Sequence, residues 1–456
     1  MTNRCLEMIP INLRNVCLKI LEELETNKLF INDALEGYFN MLTLAQQEKA
    51  FINRVVYGTV EYEMKIDYII NQYSKVKASK LKKPILLILR MSIYQMLYME
   101  HIPHSATIDE AVKLVKKRKM INLAGFVNGV LRNISRNIAS ISYPNEDLNK
   151  SEYLSIMYSF PKWLVDYLLV QYDYMTVKEM FEDSLKTPKL CIRHNALKGS
   201  REELLRNLKE DQLDVLEGHF LPYAYYLENA GALRGLKAFQ KGLFQVQDES
   251  SMLVGEVANP KEQDLVLDVC SAPGGKTTHM AQIMNNKGLI YARDVSERKL
   301  EMIKENCSRL GISNVDISKQ DATVFNESFE NKIDIVVTDV PCSGLGIIKK
   351  KPDIKYNVSL EGISSLIQVQ KEILSTASKY VKIGGFLIYS TCTINKWEND
   401  KNIEWFLENN TNFDLIPIDN DAINKFNTAK DKEFLQLLPT NKGSDGFFIA
   451  KMKRMA

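Results

Sequence analysis

Five apolar segments in the second half of this chain each run into an aspartate or a cysteine, and amphipathic stretches separate them. They are DLVLDVC (264–270), LIYARD (289–294), VDISKQD (315–321), IDIVVTDV (333–340) and GFLIYSTC (385–392). Rich in β-branched residues and too short for helices, they read as strands. Strands that alternate with helices are joined by crossovers, which predicts a mostly parallel sheet covered by helices on both faces. In such sheets ligands bind beyond the carboxyl ends of the strands, where the unusual residues of this chain gather. FLQLLP (434–439) and GFFIAKM (446–452), separated by a short turn with Gly443 and Gly446, are predicted to close the chain as an antiparallel pair.

The first half has a different period. From residue 5 to about 139 apolar positions recur every three or four residues, as in Leu13, Val16, Cys17, Ile20, Leu21 and Leu24, which predicts a wholly helical domain. Ser142 to Lys150 is polar, holds Pro144 and reads as a linker. Between Tyr153 and Gln240 the pattern is mixed: helices at Trp163–Tyr172, from Val177 and at Glu202–Lys209, and a strand at Lys189–His194. A chain of 456 residues exceeds one ordinary core. The expected organisation is an all-α domain (1–145), a small α+β unit (146–240) and a Rossmann-like α/β domain (241–456).

Several classes are set aside by composition. The longest apolar stretch, Pro84 to Met99, is interrupted by Arg90 and falls short of the roughly 20 residues of a membrane helix, so a buried helix is expected. The first 25 residues mix acids into a helical period without a cleavable leader pattern, which makes a cytoplasmic protein the expectation, and a monomer is expected. The seven cysteines (5, 17, 191, 270, 307, 342 and 392) include no CxxC spacing, and none of the five histidines forms an HExxH pattern. Neither a disulfide framework nor a metal is expected. The net charge of +2 conceals a basic front: residues 1–150 carry 21 Lys/Arg against 15 Asp/Glu. The run Lys116, Lys117, Arg118 and Lys119 suits a polyanion, although such a run is often only a solvated helix face.

Two constellations carry chemistry. In DVCSAPGGKTTHMAQI (268–283) a strand ends at Asp268, and Gly274 and Gly275 let the backbone approach a ligand ahead of a helix. The triplet Gly275-Lys276-Thr277 matches the end of a phosphate-binding GxxxxGK[ST] loop, but that pattern requires glycine where Cys270 stands. Asp294, 26 residues beyond Asp268, ends the next strand near the spacing at which a carboxylate meets ribose hydroxyls, and Asp321 ends the third. The second constellation joins the fourth and fifth strand ends: Asp339, Pro341, Cys342, Ser343, Gly344 and Gly346 on one, Ser390, Thr391, Cys392 and Thr393 on the other. A lone cysteine is more often a small buried hydrophobe than a nucleophile. Two cysteines at neighbouring strand ends beside a cofactor-type turn reverse that preference.

QVQDESSML (245–253), DVCSAPGGKT, Asp294, Asp321, DVPCSGLG, KPDIKY (351–356), YSTCT and SDGFFIAKM (444–452) resemble, in order, the motifs of the Nol1/Nop2/Sun family of RNA 5-methylcytosine methyltransferases, especially its bacterial Sun branch. The resemblance implies methyl transfer from S-adenosyl-L-methionine to carbon 5 of a cytosine in 16S ribosomal RNA, cytosine 967 in that branch. It implies that Cys392 attacks carbon 6, that Cys342 assists release, and that Asp339 stabilises the adduct at ring nitrogen 3. Cytosine carbon 5 is a poor nucleophile until a thiolate adds at carbon 6, which explains the need for a covalent step. DNA cytosine methyltransferases attack from a ProCys motif alone, so Cys392 favours RNA. By the same resemblance Cys270, Ser271, Ala272, Pro273, Gly274, Gly275, Lys276, Asp294, Asp321 and Asp339 contact the cofactor. Lys351 stands where the family usually has arginine, which leaves a point-charge phosphate contact there.

His101 to Ile134 (HIPHSATIDEAVKLVKKRKMINLAGFVNGVLRNI) resembles the NusB fold, an all-helical RNA-binding module. This implies RNA contact for Lys116–Lys119. Phosphate contacts of that kind position a protein without reading sequence, so the target cytosine must be selected by RNA shape and by unstacking into the crevice. Tyr223, Tyr225 and Tyr226 are candidates for base stacking, for core packing or for an exposed turn. Methylation of transfer RNA and a non-catalytic role in ribosome assembly remain the alternatives.

Overall fold

The computed structural model describes residues 11–27, 29–228, 233–418, 433–440 and 443–456; the predicted helical residues 5–10, with Cys5, lie outside them. The described residues form two compact units. The first runs to Phe181 and includes Lys351–Asn357, and the second comprises Glu182–Lys350 and Val358–Ala456. No described helix is long and apolar enough to cross a membrane. Among the described residues no cluster of three or more His, Cys, Asp or Glu side chains is arranged to hold a metal ion.

In the first unit the three-to-four period becomes helices at Leu13–Asn27, Ile31–Met41, Gln46–Glu61, Glu63–Tyr73, Lys83–Tyr98, His104–Lys117 and Ala124–Asn137. Helix Lys83–Tyr98 is the apolar stretch of the sequence. It buries eleven of its residues, as expected of a central helix, and opens with Pro84, whose missing N–H is unneeded in a first turn. Its buried Arg90 meets Asp67 at 2.7 and 2.8 Å, Glu63 at 3.1 Å and Glu25 at 3.3 Å. The unit continues past the predicted linker through helices Lys150–Tyr158 and Lys162–Leu169.

The KPDIKY motif packs in this helical unit. Asp353 Oδ2 accepts from the Ile31 N–H at 3.1 Å, Lys355 Nζ donates to the Glu61 carbonyl at 2.8 Å, and the Tyr356 hydroxyl donates to the Ser159 carbonyl at 2.9 Å. Lys355 is buried against the Phe160 ring, and burial lowers its pKa to about 7, with Glu61 opposing.

In the second unit, β1 (Leu190–His194), β2 (Asp214–Glu217), β3 (Ala224–Glu228) and β4 (Phe244–Val246) form an antiparallel sheet in the order β2-β3-β1-β4. Leu204 and Leu208 of helix Arg201–Glu210 pack on its Ile192, Tyr225 and Leu227. Tyr225 and Tyr226 are buried, and the half-buried Tyr223 donates to Glu256 at 2.5 Å, so the three tyrosines pack rather than present a stacking surface.

The larger sheet contains β5 (Leu265–Asp268), β6 (Leu289–Asp294), β7 (Val315–Lys319), β8 (Ile333–Asp339), β9 (Val381–Thr391), β10 (Phe413–Leu415), β11 (Phe434–Leu437) and β12 (Phe447–Arg454). Its order is β10-β12-β9-β8-β5-β6-β7, with β11 paired to β12. The five predicted strands are mutually parallel, and β11 and β12 form the predicted antiparallel pair. One detail differs. β7 stops at Lys319, so Asp321 lies in the turn beyond it, where its carboxylate accepts from the N–H and hydroxyl of Thr323. The strand order reverses between β5 and β8, the position at which doubly wound sheets open a crevice.

Buried Arg90 balances the half-buried Glu63 and Asp67 and the more exposed Glu25. Arg90→Met is therefore expected to cost about 3–5 kcal/mol, because it leaves those charges uncompensated; urea unfolding of wild type and variant measures it.

Candidate active site

The cofactor-type turn begins where β5 ends. Asp268 is fully buried at the strand terminus, and its Oδ2 accepts from Thr277 Oγ1 at 2.7 Å, across the turn on helix Gly275–Ile283. Its Oδ1 has no hydrogen-bond partner among the described residues. Gly274 has φ +95°, and a side chain there would press on Ile303. Ser271 anchors the turn to β6, its N–H and its hydroxyl each donating to the Arg293 carbonyl at 2.9 Å. Asp294 follows directly and accepts from the N–H groups of Ala272 at 3.3 Å and Ser296 at 3.1 Å. Cys270 packs on the apolar core, and burial holds its thiol well above its ordinary pKa.

The β8–β9 pairing brings the second constellation together. Asp339 stands opposite Ser390, whose hydroxyl donates to Asp339 Oδ1 at 2.8 Å. Asp339 Oδ2 takes Lys276 Nζ at 2.6 Å, which joins the two constellations. Burial works against the Lys276 ammonium, and the Asp339 carboxylate outweighs it, so the pKa of Lys276 lies above its usual value. The sulfurs of Cys342 and Cys392 are 3.4 Å apart. The hydrogen bond to Cys392, then burial, push the Cys342 thiol well above its ordinary range.

Cys270 through Lys276, Asp294, Asp339, Cys342 and Cys392 thus share the carboxyl edge of β5, β6, β8 and β9, with Asp321 exposed beyond β7. Lys116–Lys119 and Lys351 belong to the first unit instead. Lys116, Lys117 and Lys119 are exposed, Arg118 is ion-paired with Glu22 at 2.5 Å, and Lys351 lies over the Phe30 ring. Three participants escaped the sequence reading. Ser390 was read only as a strand end, although its one-residue offset from the cysteine pairing was the available signal. Arg193 and Glu398 carried none.

Arg193 of β1 is fully buried and donates to the Gly275 carbonyl at 2.9 Å, Thr278 Oγ1 at 3.1 Å, Gln282 Oε1 at 3.3 Å, and Gln247. It thereby fixes the first turn of the helix that follows the glycines. Burial lowers its pKa to about 9.

Burial raises the Asp268 carboxyl to about 7. A carboxyl raised in the folded state stabilises the fold fully below its unfolded pKa of about 4, and that contribution is lost as pH rises through about 7. Asp268→Asn is expected to flatten the fall in Tm between pH 5 and 8 and to raise Tm at pH 8; thermal melts across that range test it.

Comparison with known proteins agrees with this geometry. The family described as 16S rRNA methyltransferase RsmB/F matches residues 256–453, the NusB family matches 11–136, and an RsmF/B-like ferredoxin-like domain matches 160–234. The probable ribosomal RNA small subunit methyltransferase B of Bacillus subtilis is 35% identical over 97% of this chain and 99% of its own. That of Synechocystis is 30% identical over 97% and 100%. The crystal structure of PH0851 superposes with a TM-score of 0.80 at 27% identity, covering 98% of this chain and 100% of that one. That of NSun6 from Pyrococcus horikoshii with SFG shares the fold, with a TM-score of 0.58 at 24% identity over 66% of this chain and 100% of that one. Likeness of this extent, across a NusB-like helical domain, a ferredoxin-like middle domain and a Rossmann-like methyltransferase domain, means that the chain belongs to the ribosomal RNA small subunit methyltransferase B family.

Proposed function

We propose that this protein uses S-adenosylmethionine to methylate carbon 5 of a cytosine in 16S rRNA, at cytosine 967, through a covalent bond between Cys392 and carbon 6 of the base. The observation that carries this reading is the 3.4 Å approach of two sulfurs beside the Lys276–Asp339 pair.

The cofactor supplies a methyl group made electrophilic by its sulfonium. The residues of the turn fit such a ligand: Asp268 Oδ1, unpaired among the described residues, and the ordered Asp294 offer polar contacts to a nucleoside, and the bare backbone at Gly274 lets it approach closely. In this reading Cys270–Lys276, Asp294, Asp321 and Asp339 hold it. Cys392 forms the sulfur–carbon 6 bond, and the ring electrons shift to carbon 5, which becomes nucleophilic. The assignment of attack to Cys392 rests on its place in YSTCT, which resembles the attacking ThrCys motif of the family, with Cys342 in contact beside it. Asp339, held by Lys276 Nζ at 2.6 Å, is assigned to stabilise the charge that builds toward ring nitrogen 3. Carbon 5 takes the methyl group as the cofactor's methyl–sulfonium bond breaks; its proton is then lost to solvent as the carbon 6–sulfur bond breaks, the Cys342 thiol 3.4 Å away assisting by hydrogen bonding the departing Cys392 thiolate.

We divide the work among modules at 1–145, 146–240 and 241–456. The exposed Lys116, Lys117 and Lys119 suit phosphate contacts of the NusB-like module, as Lys351 does, and such contacts position the RNA without reading its sequence.

Cys392→Ala is expected to abolish both turnover and covalent trapping on RNA containing 5-fluorocytosine; a persistent adduct overturns the assignment. Cys342→Ala is expected to accumulate a protein–RNA adduct visible on denaturing gels, and normal turnover removes its role in release. Bisulfite mapping of 16S rRNA from cells with and without the protein tests the target position.

A further inference from the structure

The two cysteine turns rest on a buried carboxylate whose hydrogen-bond donors are all neutral. Glu398 is fully buried. Its Oε1 accepts from the Ser343 N–H at 2.8 Å and from Gln370 Nε2 at 2.9 Å, and its Oε2 accepts from the Ser343 hydroxyl at 2.5 Å and from Asn395 Nδ2 at 2.9 Å. Ser343 follows Cys342 in the chain, and its hydroxyl also meets that of Thr393, the residue after Cys392, at 2.8 Å. Gln370 donates a second bond to the carbonyl of Pro341, the residue before Cys342, at 2.9 Å. The backbone carbonyl of Glu398 accepts from the Tyr389 hydroxyl at 2.5 Å, three residues before Cys392. One residue therefore ties down both turns from behind.

Burying a carboxylate among neutral groups is costly, and an apolar side chain of similar volume would serve packing alone at least as well. We propose that Glu398 is a positioning residue for methyl transfer, bracing the two cysteine turns so that both sulfurs stay in contact and act on one base. This rests on the covalent reading given above. The buried charge also acts electrostatically: after Cys392 and burial, Glu398 contributes to raising the Cys342 thiol, which the Tyr389 hydroxyl also faces. Glu398 thus helps Cys342 to keep its proton while its partner attacks.

The test is Glu398→Gln, which keeps the shape, removes the charge and turns an N–H₂ toward existing donors. A loss of about 10- to 100-fold in kcat is expected, with KM for RNA and for S-adenosylmethionine within about twofold of wild type. In a Cys392→Ser background, the pH profile for alkylation of Cys342 by iodoacetamide is expected to move to lower pH when Glu398→Gln is added. Ser343→Ala keeps the charge but cuts the link to Thr393; it should lower kcat and leave the alkylation profile in place. Should Glu398→Gln fail to fold, Ser343→Ala carries the test. Wild-type kcat in the folded variant overturns the proposal, and so does a reduced kcat with an unmoved profile in Glu398→Gln, which would leave packing as its only role. Alkylation reads the thiols without any methyl transfer, so failure of the covalent mechanism, seen as turnover by Cys392→Ala, is a separate result.

Discussion

Parallel pairing of β8 with β9 is the interaction on which the site depends. The register sets Asp339 opposite Ser390, and the chain beyond each strand then delivers Cys342 and Cys392 to the same point. Side chains alternate across a sheet, so a slip of one residue would turn Ser390 away from Asp339 and part the sulfurs. Backbone contacts beyond the strands secure that register. The Gly346 N–H donates to the Cys392 carbonyl at 3.1 Å, and its own carbonyl accepts from Gly446 at 2.8 Å. A β-carbon at Gly346 would lie 2.1 Å from the Gly446 carbonyl oxygen, so only glycine lets the three segments converge.

Buried charge recurs in each unit, every group held by partners that the fold brings from elsewhere in the chain. Arg90 sits amid three carboxylates, Arg193 amid carbonyl and side-chain acceptors, and Glu398 amid four neutral donors. A buried polar group without partners is costly, and a satisfied one specifies a single arrangement of the elements that meet there. Arg193 fastens β1 of the small sheet to the first turn of helix Gly275–Ile283, and Glu398 fastens β9 and the loop after β8 to helix Leu360–Ser378 through Gln370. Loops carry the two cysteines, and these anchors give the loops the rigidity of the scaffold.

Much was legible before any tertiary information. Each of the five apolar runs became a parallel strand within a few residues, because continuous β-branched apolar character suits only strands covered on both faces. The three-to-four period of the front half became helices, since that period places apolar residues on one face. Asp321 was read as a strand end and lies two residues beyond, because strand limits depend on hydrogen-bonded neighbours that local sequence does not contain. KPDIKY was read as a motif of the catalytic half, yet its residues pack among N-terminal helices, a consequence of chain path rather than of local pattern.

By itself, then, the sequence determined the element types, their order and the identity of the two cysteines and the aspartates, because periodicity and strand-end chemistry are local properties. Only the tertiary structure decided that Lys276 pairs with Asp339, that Ser390 braces it, that Arg193 and Glu398 stand behind the site, and that the two sulfurs touch. Those are contacts between residues 50 to 82 positions apart in the chain, and strand pairing and side-chain burial, which local pattern does not encode, select them.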